Sequence, residues 1–484
     1  REYGAVYAVA PLSYYLGATV EPGERPLLRT ERGFEYELER SEGFEETVAR
    51  TLKQVFFLDC LTRTEGLYPV ELHERRVLED ELGLDFAALY ERPLAEQLEA
   101  YLSIPYATIA EQVPTWKLTA HVAATPASVE SLPFVVADLA VVRSVNPATG
   151  SGATSIADGN GEPPIARADN GGFVDGPGDI DIEEPFVRPE PADSLEQTWV
   201  GAGTPLGASK ASLSAYHNRL ERAPAEGDIE ITVVCNDRAM DDERAVEEMY
   251  GERADLPFDI TVERDLTTAE FADVLGERTD FLHYIGHVDS EGFACADGRL
   301  DARQLDSVGV DAFLLNACQS YRQGMALIEA GAIGGIVTLS DILNSEGIKM
   351  GQALARLLNA GFPLRAALDI ARDESIMGDE YLVVGDGGLA IAQAPHSHPN
   401  ICEIKDTGTS FDVRYNSYHA SGNGMGSIII PKIGDNQEGY LSPGLIDSFT
   451  ISKSELKGFL SLENAPVKFQ TKLRWSNQLD IDEL

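Results

Sequence analysis

The chain has 484 residues, 43% hydrophobic and 24% charged, which allows about three globular domains and excludes a minimal binding peptide. It contains no run of eighteen apolar residues, so no helical membrane span is expected. Asp plus Glu number 80 against 38 Lys plus Arg, and the resulting net charge of −42 opposes sequence-independent binding to nucleic acid.

Residues 1–145 read as an α+β domain. Val48, Leu52, Val55 and Phe56 recur at helical spacing, as do Leu94, Leu98 and Leu102, and the two helices are expected to share a core. Between Trp116 and Val122, apolar Trp116, Leu118, Ala120 and Val122 alternate with polar residues as in a half-buried strand. Residues 146–195 shift to Gly, Pro, Asp and Glu, as in GPGDIDIEEPFVRPEPAD. That composition cannot bury enough apolar surface to offset ordering entropy and predicts a linker or mobile loop.

Residues 196–395 alternate between strand-length and helix-length segments. After a helix ending near Glu221, strands are predicted over Ile229–Cys235, Phe258–Glu263, Phe281–Ile285, Ala312–Asn316, Ile333–Leu339 and Tyr381–Val384. The expected fold class is therefore α/β, a mostly parallel sheet flanked by helices. Thr267 and Glu270 have capping-box spacing, Gly331 follows a helix from Tyr321 to Ala330, and Met350, Leu354, Leu357 and Leu358 mark one buried helix face. In residues 396–484, Val467, Phe469, Thr471, Leu473 and Trp475 alternate with polar residues, suggesting a small antiparallel β domain. No internal repeat of twenty to fifty residues is visible.

The acid excess is diffuse, and only ten of the 38 basic residues are Lys, six of them after His398. This composition resembles that of proteins from salt-loving microbes. Dense carboxylates keep a surface hydrated when salt shortens the screening length to roughly 3 Å near 1 M. The five cysteines, Cys60, Cys235, Cys295, Cys318 and Cys402, are scattered and odd in number, which argues against a disulfide framework. A reducing, cytoplasmic location is the expectation, held provisionally because the sequence opens on Arg1 rather than Met. No metal or cofactor is expected: His396 and His398 lack nearby Cys or suitably spaced carboxylates, and no phosphate-cradling glycine motif follows a strand and opens a helix.

Two segments carry chemistry. In FLHYIGHVD an apolar strand ends at Gly286 and presents His287; in DAFLLNACQSY another ends at Asn316 and presents Cys318 ahead of a helix. Ligands of open parallel sheets bind beyond the carboxyl ends of the strands, so neighbouring strands would bring these side chains to one crevice. There the imidazole could take the thiol proton, and the helix N-terminus should lower the thiol pKa. The backbone N–H of Cys318, with one near Gly286 or Val288, could stabilise an oxyanion during acyl transfer. Alone, either residue reads more simply as core. His283 reads as a hydrogen-bonded core histidine and Cys295 as a loop cysteine outside the chemistry. Asp289, Glu291 and Asp341 fall on loops that would flank the site, where they could form an acidic pocket for Arg or Lys or belong to the generally acidic surface.

HYIGH, then NACQS, then ALIEAGAIGGIVTLSDI, ALARLLNAGFPLRAALDIAR and YLVVGDGG, together resemble the CHAT domain, a caspase-like branch of the caspase, separase and gingipain clan. The resemblance covers residues 229–393 and implies a caspase-like α/β sandwich, with His287 as base and Cys318 as nucleophile. In many members it also implies endopeptidase activity on protein or peptide substrates, switched on by a partner or sensor domain. The chain departs from the pattern at Val288, where the family commonly has Gly, and no tetratricopeptide array is visible. That departure keeps open a second reading, a pseudoprotease that serves as a signalling or binding scaffold.

Overall fold

A computed structural model describes residues 2–145, 153–156, 184–223, 227–236, 250, 253, 255–395, 398–421, 424–462 and 464–479. The chain divides into two compact units, Arg1–Gly152 with Ala192–Leu195 and Asn400–Leu484, and Ala153–Pro191 with Glu196–Pro399.

The second unit is a mixed α/β body around a mostly parallel sheet. Its elements are α1 (Leu213–Glu221), β1 (Ile229–Cys235), β2 (Phe258–Arg264), α2 (Thr268–Gly276), β3 (Thr279–Ile285), β4 (Val310–Asn316), α3 (Tyr321–Glu329), β5 (Gly334–Thr338), α4 (Asn344–Asn359), α5 (Leu364–Ala371) and β6 (Tyr381–Gly385). The strands lie in the order β2-β1-β3-β4-β5-β6. Neighbours are parallel from β2 to β5, and β6 closes the run antiparallel to β5. Short strands at Ser209–Lys210 and Ser194–Val200 continue the sheet beyond β6.

The central strands are apolar on both faces because both are covered, as parallel sheets require. Leu282, Tyr284, Phe313, Leu315, Val337 and Leu339 join Phe271, Leu275, Leu327 and Ile328 of α2 and α3 in one core. Gly335 keeps this layer closed, since a Cβ there would lie 2.1 Å from Phe313 Cε2. Gly324 lets α3 settle onto β5, its missing Cβ leaving room for Val337 Cγ1. The capping box of α2 forms as the sequence predicts, Thr267 and Glu270 bonding reciprocally. Met350, Leu354, Leu357 and Leu358 are all fully buried along α4.

In the first unit, helices Phe44–Arg63 and Leu94–Ser103 share a core through Val55, Leu58, Leu61, Leu98 and Leu102. Strand Trp116–Ala123 is parallel to Val141–Val145. It is buried along its whole length, not half-buried as its alternation suggests. Lys117 can go inside because its charge is met: Nζ donates to Asp138 Oδ1 at 3.2 Å and to the Ala420 carbonyl at 3.1 Å. The C-terminal segment contributes a five-stranded sheet, mostly antiparallel, in which Asn400–Asp406 and Pro466–Phe469 pair parallel. The alternating run from Val467 to Trp475 is a hairpin, not one strand. It turns at Gln470 and Thr471, both with positive φ.

Most of the 146–195 linker expectation, and His396, lie outside the described residues. Its described flanks include strands Ala153–Ile156 and Phe186–Pro189, which pair antiparallel. Among the described residues no helix is long and apolar enough to cross a membrane.

Candidate active site

The ladder between β3 and β4 pairs Ile285 with Asn316. His287 and Cys318 each stand two residues beyond that pair, at equivalent steps past the carboxyl ends of adjacent parallel strands. This is the arrangement expected from the two apolar runs, and it requires only that the strands be neighbours in register.

His287 sits on an exposed turn entering a three-stranded meander formed by Val288–Asp289, Gly292–Cys295 and Gly298–Leu300. Its carbonyl accepts the Ala294 N–H at 2.8 Å and lies 3.0 Å from Tyr284 Oη, whose hydroxyl proton is shared with the Ala294 carbonyl at 3.1 Å. The Tyr284 ring stacks on Phe271 at 5.4 Å and meets Phe293 edge-on at 4.9 Å, so an aromatic layer supports the turn. Gly286 is required by this packing: a Cβ there would lie 2.7 Å from Tyr284 Oη. The glycine before the histidine thus makes room for the tyrosine two residues earlier.

Cys318 is anchored through β5. Thr338 Oγ1 donates to the Ala317 carbonyl and accepts the Ser320 N–H at 3.1 Å. Ser320 Oγ accepts the Thr338 N–H at 2.9 Å and donates to the Leu315 carbonyl at 3.1 Å. Behind them, buried Asn316 donates to the Gly347 carbonyl at 2.9 Å and accepts the Tyr381 hydroxyl at 2.8 Å, tying the end of β4 to α4 and β6. Gln319 holds φ of 49°, a left-handed conformation costing a non-glycine residue on the order of 1 kcal/mol, at the turn into α3.

The sulfur is half-buried and accepts the Ile342 N–H at 3.4 Å. Burial raises the thiol pKa; the Ile342 amide pulls it down and the Asp341 charge pushes it further up. This corrects the expectation of a thiol lowered by the helix N-terminus. The loop after β5 returns over the cysteine, and the desolvation it causes outweighs the backbone dipoles.

Asp289 and Asp341, two of the expected pocket acids, have side-chain partners: Arg299 Nε of the same meander donates to Asp289 Oδ2 at 2.8 Å, and Gln319 Nε2, from the turn after β4, donates to Asp341 Oδ1 at 3.0 Å. Glu291 is exposed at the meander turn. His283 is fully buried, 3.2 Å from the Tyr250 hydroxyl, and burial lowers its pKa to about 3, consistent with a core role. Cys295 lies in a strand of the meander rather than in a loop, and burial raises its thiol to about 11. Among the described residues no group of three His, Cys, Asp or Glu is placed to hold a metal ion. Sequence reading missed Tyr284, Asn316, Ser320, Thr338 and Ile342; a strand position two residues before Gly286 was the one signal available for Tyr284.

No family model matches the chain, and no curated protein matches it. Among solved structures it is similar to the Saccharomyces cerevisiae separase–securin complex, with 10% identity, TM-score 0.30, and coverage of 41% of this chain and 16% of that one. It is also similar to the Arg-specific cysteine proteinase gingipain R, with 13% identity, TM-score 0.30, and coverage of 45% and 61%. A further structure described as a protease aligns at 14% identity and TM-score 0.32, covering 52% of this chain and 66% of that one. The chain therefore spans less than two thirds of either the separase or the gingipain chain.

Proposed function

We propose that the protein is a CHAT-like, caspase-like cysteine endopeptidase, with residues 196–395 carrying the chemistry. His287 takes the proton of Cys318, and the sulfur attacks the scissile carbonyl. The N–H groups of Cys318 and of Val288 or Gly286 meet the oxyanion, and His287 returns the proton to the departing amine. Water then releases the acyl group by the same path in reverse. The observation that carries this reading is the equal step of His287 and Cys318 beyond the Ile285–Asn316 pair. Asp289, Glu291 and Asp341 would give the rim a negative potential that favours basic substrates. Residues 1–145 and 396–484 would recruit substrate or a regulatory protein.

The test is a labelled peptide library in molar KCl. Wild-type protein should cleave members that Cys318→Ala leaves intact, and equal turnover by both would end the proposal.

The scaffold reading is favoured by the raised thiol and by Val288. Iodoacetamide labelling across pH separates the two. A protease should show Cys318 alkylation controlled by an imidazole as well as by the thiol, whereas a scaffold would show one thiol titration alone.

A further inference from the structure

We infer that Tyr284 is the positioning residue for the oxyanion site, fixing the direction of the Val288 amide through the carbonyl of His287. The inference rests on the endopeptidase reading and adds a residue to it. The C=O of His287 and the N–H of Val288 belong to one trans peptide plane and point in opposite directions. Ala294 N–H and Tyr284 Oη both hold that carbonyl, at 2.8 and 3.0 Å, so they set where the Val288 N–H points. The meander ladder leaves this amide unused. With Ala294 N–H bonded to the His287 carbonyl, Val288 and Phe293 form a non-hydrogen-bonded pair, whose N–H groups face away from each other.

The side it faces follows from the anchor of Ala294. Asn236 follows β1, donates its own N–H to the Ile285 carbonyl at 2.9 Å, and donates Nδ2 to the Ala294 carbonyl at 3.0 Å. Ala294 is thereby held on the β1 side of β3. The opposite side of β3 is occupied by β4, whose carboxyl end leads into Cys318 two residues on. A β-branched residue follows the histidine where the resembled family commonly has glycine, and Val288 itself is buried. A freely turning amide is not needed here, because the tyrosine hydroxyl and the Ala294 amide already fix the peptide.

The experiment compares two reactions of the same sulfur in the full chain. Alkylation by iodoacetamide breaks the C–I bond as the S–C bond forms and develops no oxyanion. Acetylation by p-nitrophenyl acetate passes through one: the sulfur adds to the ester carbonyl, its proton goes to His287, and the collapsing intermediate expels p-nitrophenolate to leave a thioester on Cys318. Tyr284→Phe should slow acetylation of Cys318, followed by peptide mass, by roughly 10- to 100-fold. Its alkylation rate and pH profile should stay within about twofold of wild type. Phe271→Leu, which disturbs the stack but keeps the hydroxyl, should spare acetylation relative to alkylation. Equal losses in both reactions for Tyr284→Phe, no loss in either, or a selective acetylation loss in Phe271→Leu would overturn the inference. Wild-type Cys318 acetylated no faster than Cys295 would instead refute the dyad, and the inference with it.

Discussion

Replacing Thr338 with Val tests whether the Cys318 loop is held by one buried hydroxyl. Thr338 and Ser320 are fully buried. Valine has nearly the same shape, so no cavity opens, but the Ala317 carbonyl loses the Thr338 donor and the Ser320 N–H loses its 3.1 Å acceptor. Each buried group deprived of its partner costs about 1–3 kcal/mol, so the variant should lose roughly 2–6 kcal/mol. For a unit of this size that lowers the melting temperature by roughly 5–20 °C. Melting followed by circular dichroism in molar KCl measures it. Iodoacetamide labelling of Cys318 should accelerate in parallel as the loop loosens. Thr338→Ser keeps the hydroxyl and should lose only about 1 kcal/mol, the worth of a buried methyl. A Thr338→Val melt within about 2 °C of wild type, with unchanged labelling, would refute the reasoning.

Three further outcomes are expected. His283 is neutral in the folded protein because burial lowers its pKa from 6.5 to about 3, whereas the unfolded chain protonates it below 6.5. Stability should therefore fall as pH drops from about 6.5 towards 3, by on the order of 1.4 kcal/mol per unit from this group, and urea titrations of His283→Gln should show a shallower slope than wild type across that window. Gly286→Ala places a methyl against Tyr284 Oη and should cost about 1–3 kcal/mol while slowing Cys318 acetylation; a variant as stable and reactive as wild type would show that the turn relaxes freely. Because the net charge is −42, raising KCl from dilute to molar should increase the melting temperature, and a flat or falling curve would remove the salt reading of the composition.

The sheet was legible because strands covered on both faces become unbroken apolar runs: β1 falls on the predicted residues, and β3 begins two residues early at Thr279, whose hydroxyl bonds the Glu230 carbonyl. Strand direction was not legible at β6, where nothing in YLVVG distinguishes an antiparallel neighbour from a parallel one. Composition also hid the turn at Gln470 and Thr471, which adopt positive φ without Gly, Asn or Asp to announce it. The positions of His287 and Cys318 just past two strand ends were legible because strand ends are marked in sequence. The raised thiol was not, since it comes first from burial in the folded chain and then from the charge of Asp341, more than twenty residues later in sequence. Tyr284 looked like any core aromatic until its hydroxyl had a carbonyl to hold.

The β3–β4 ladder fixes both chain ends and the Tyr284 and Ala294 contacts fix the turn at His287, so the spacing of imidazole and sulfur does not depend on the hairpin tip between Asp289 and Gly292. That tip can be lengthened without a compensating change at the thiol. A grafted epitope or reporter peptide inserted at Ser290–Glu291 should accordingly leave the neighbouring strands in step, making this hairpin tip a practical attachment point for engineering.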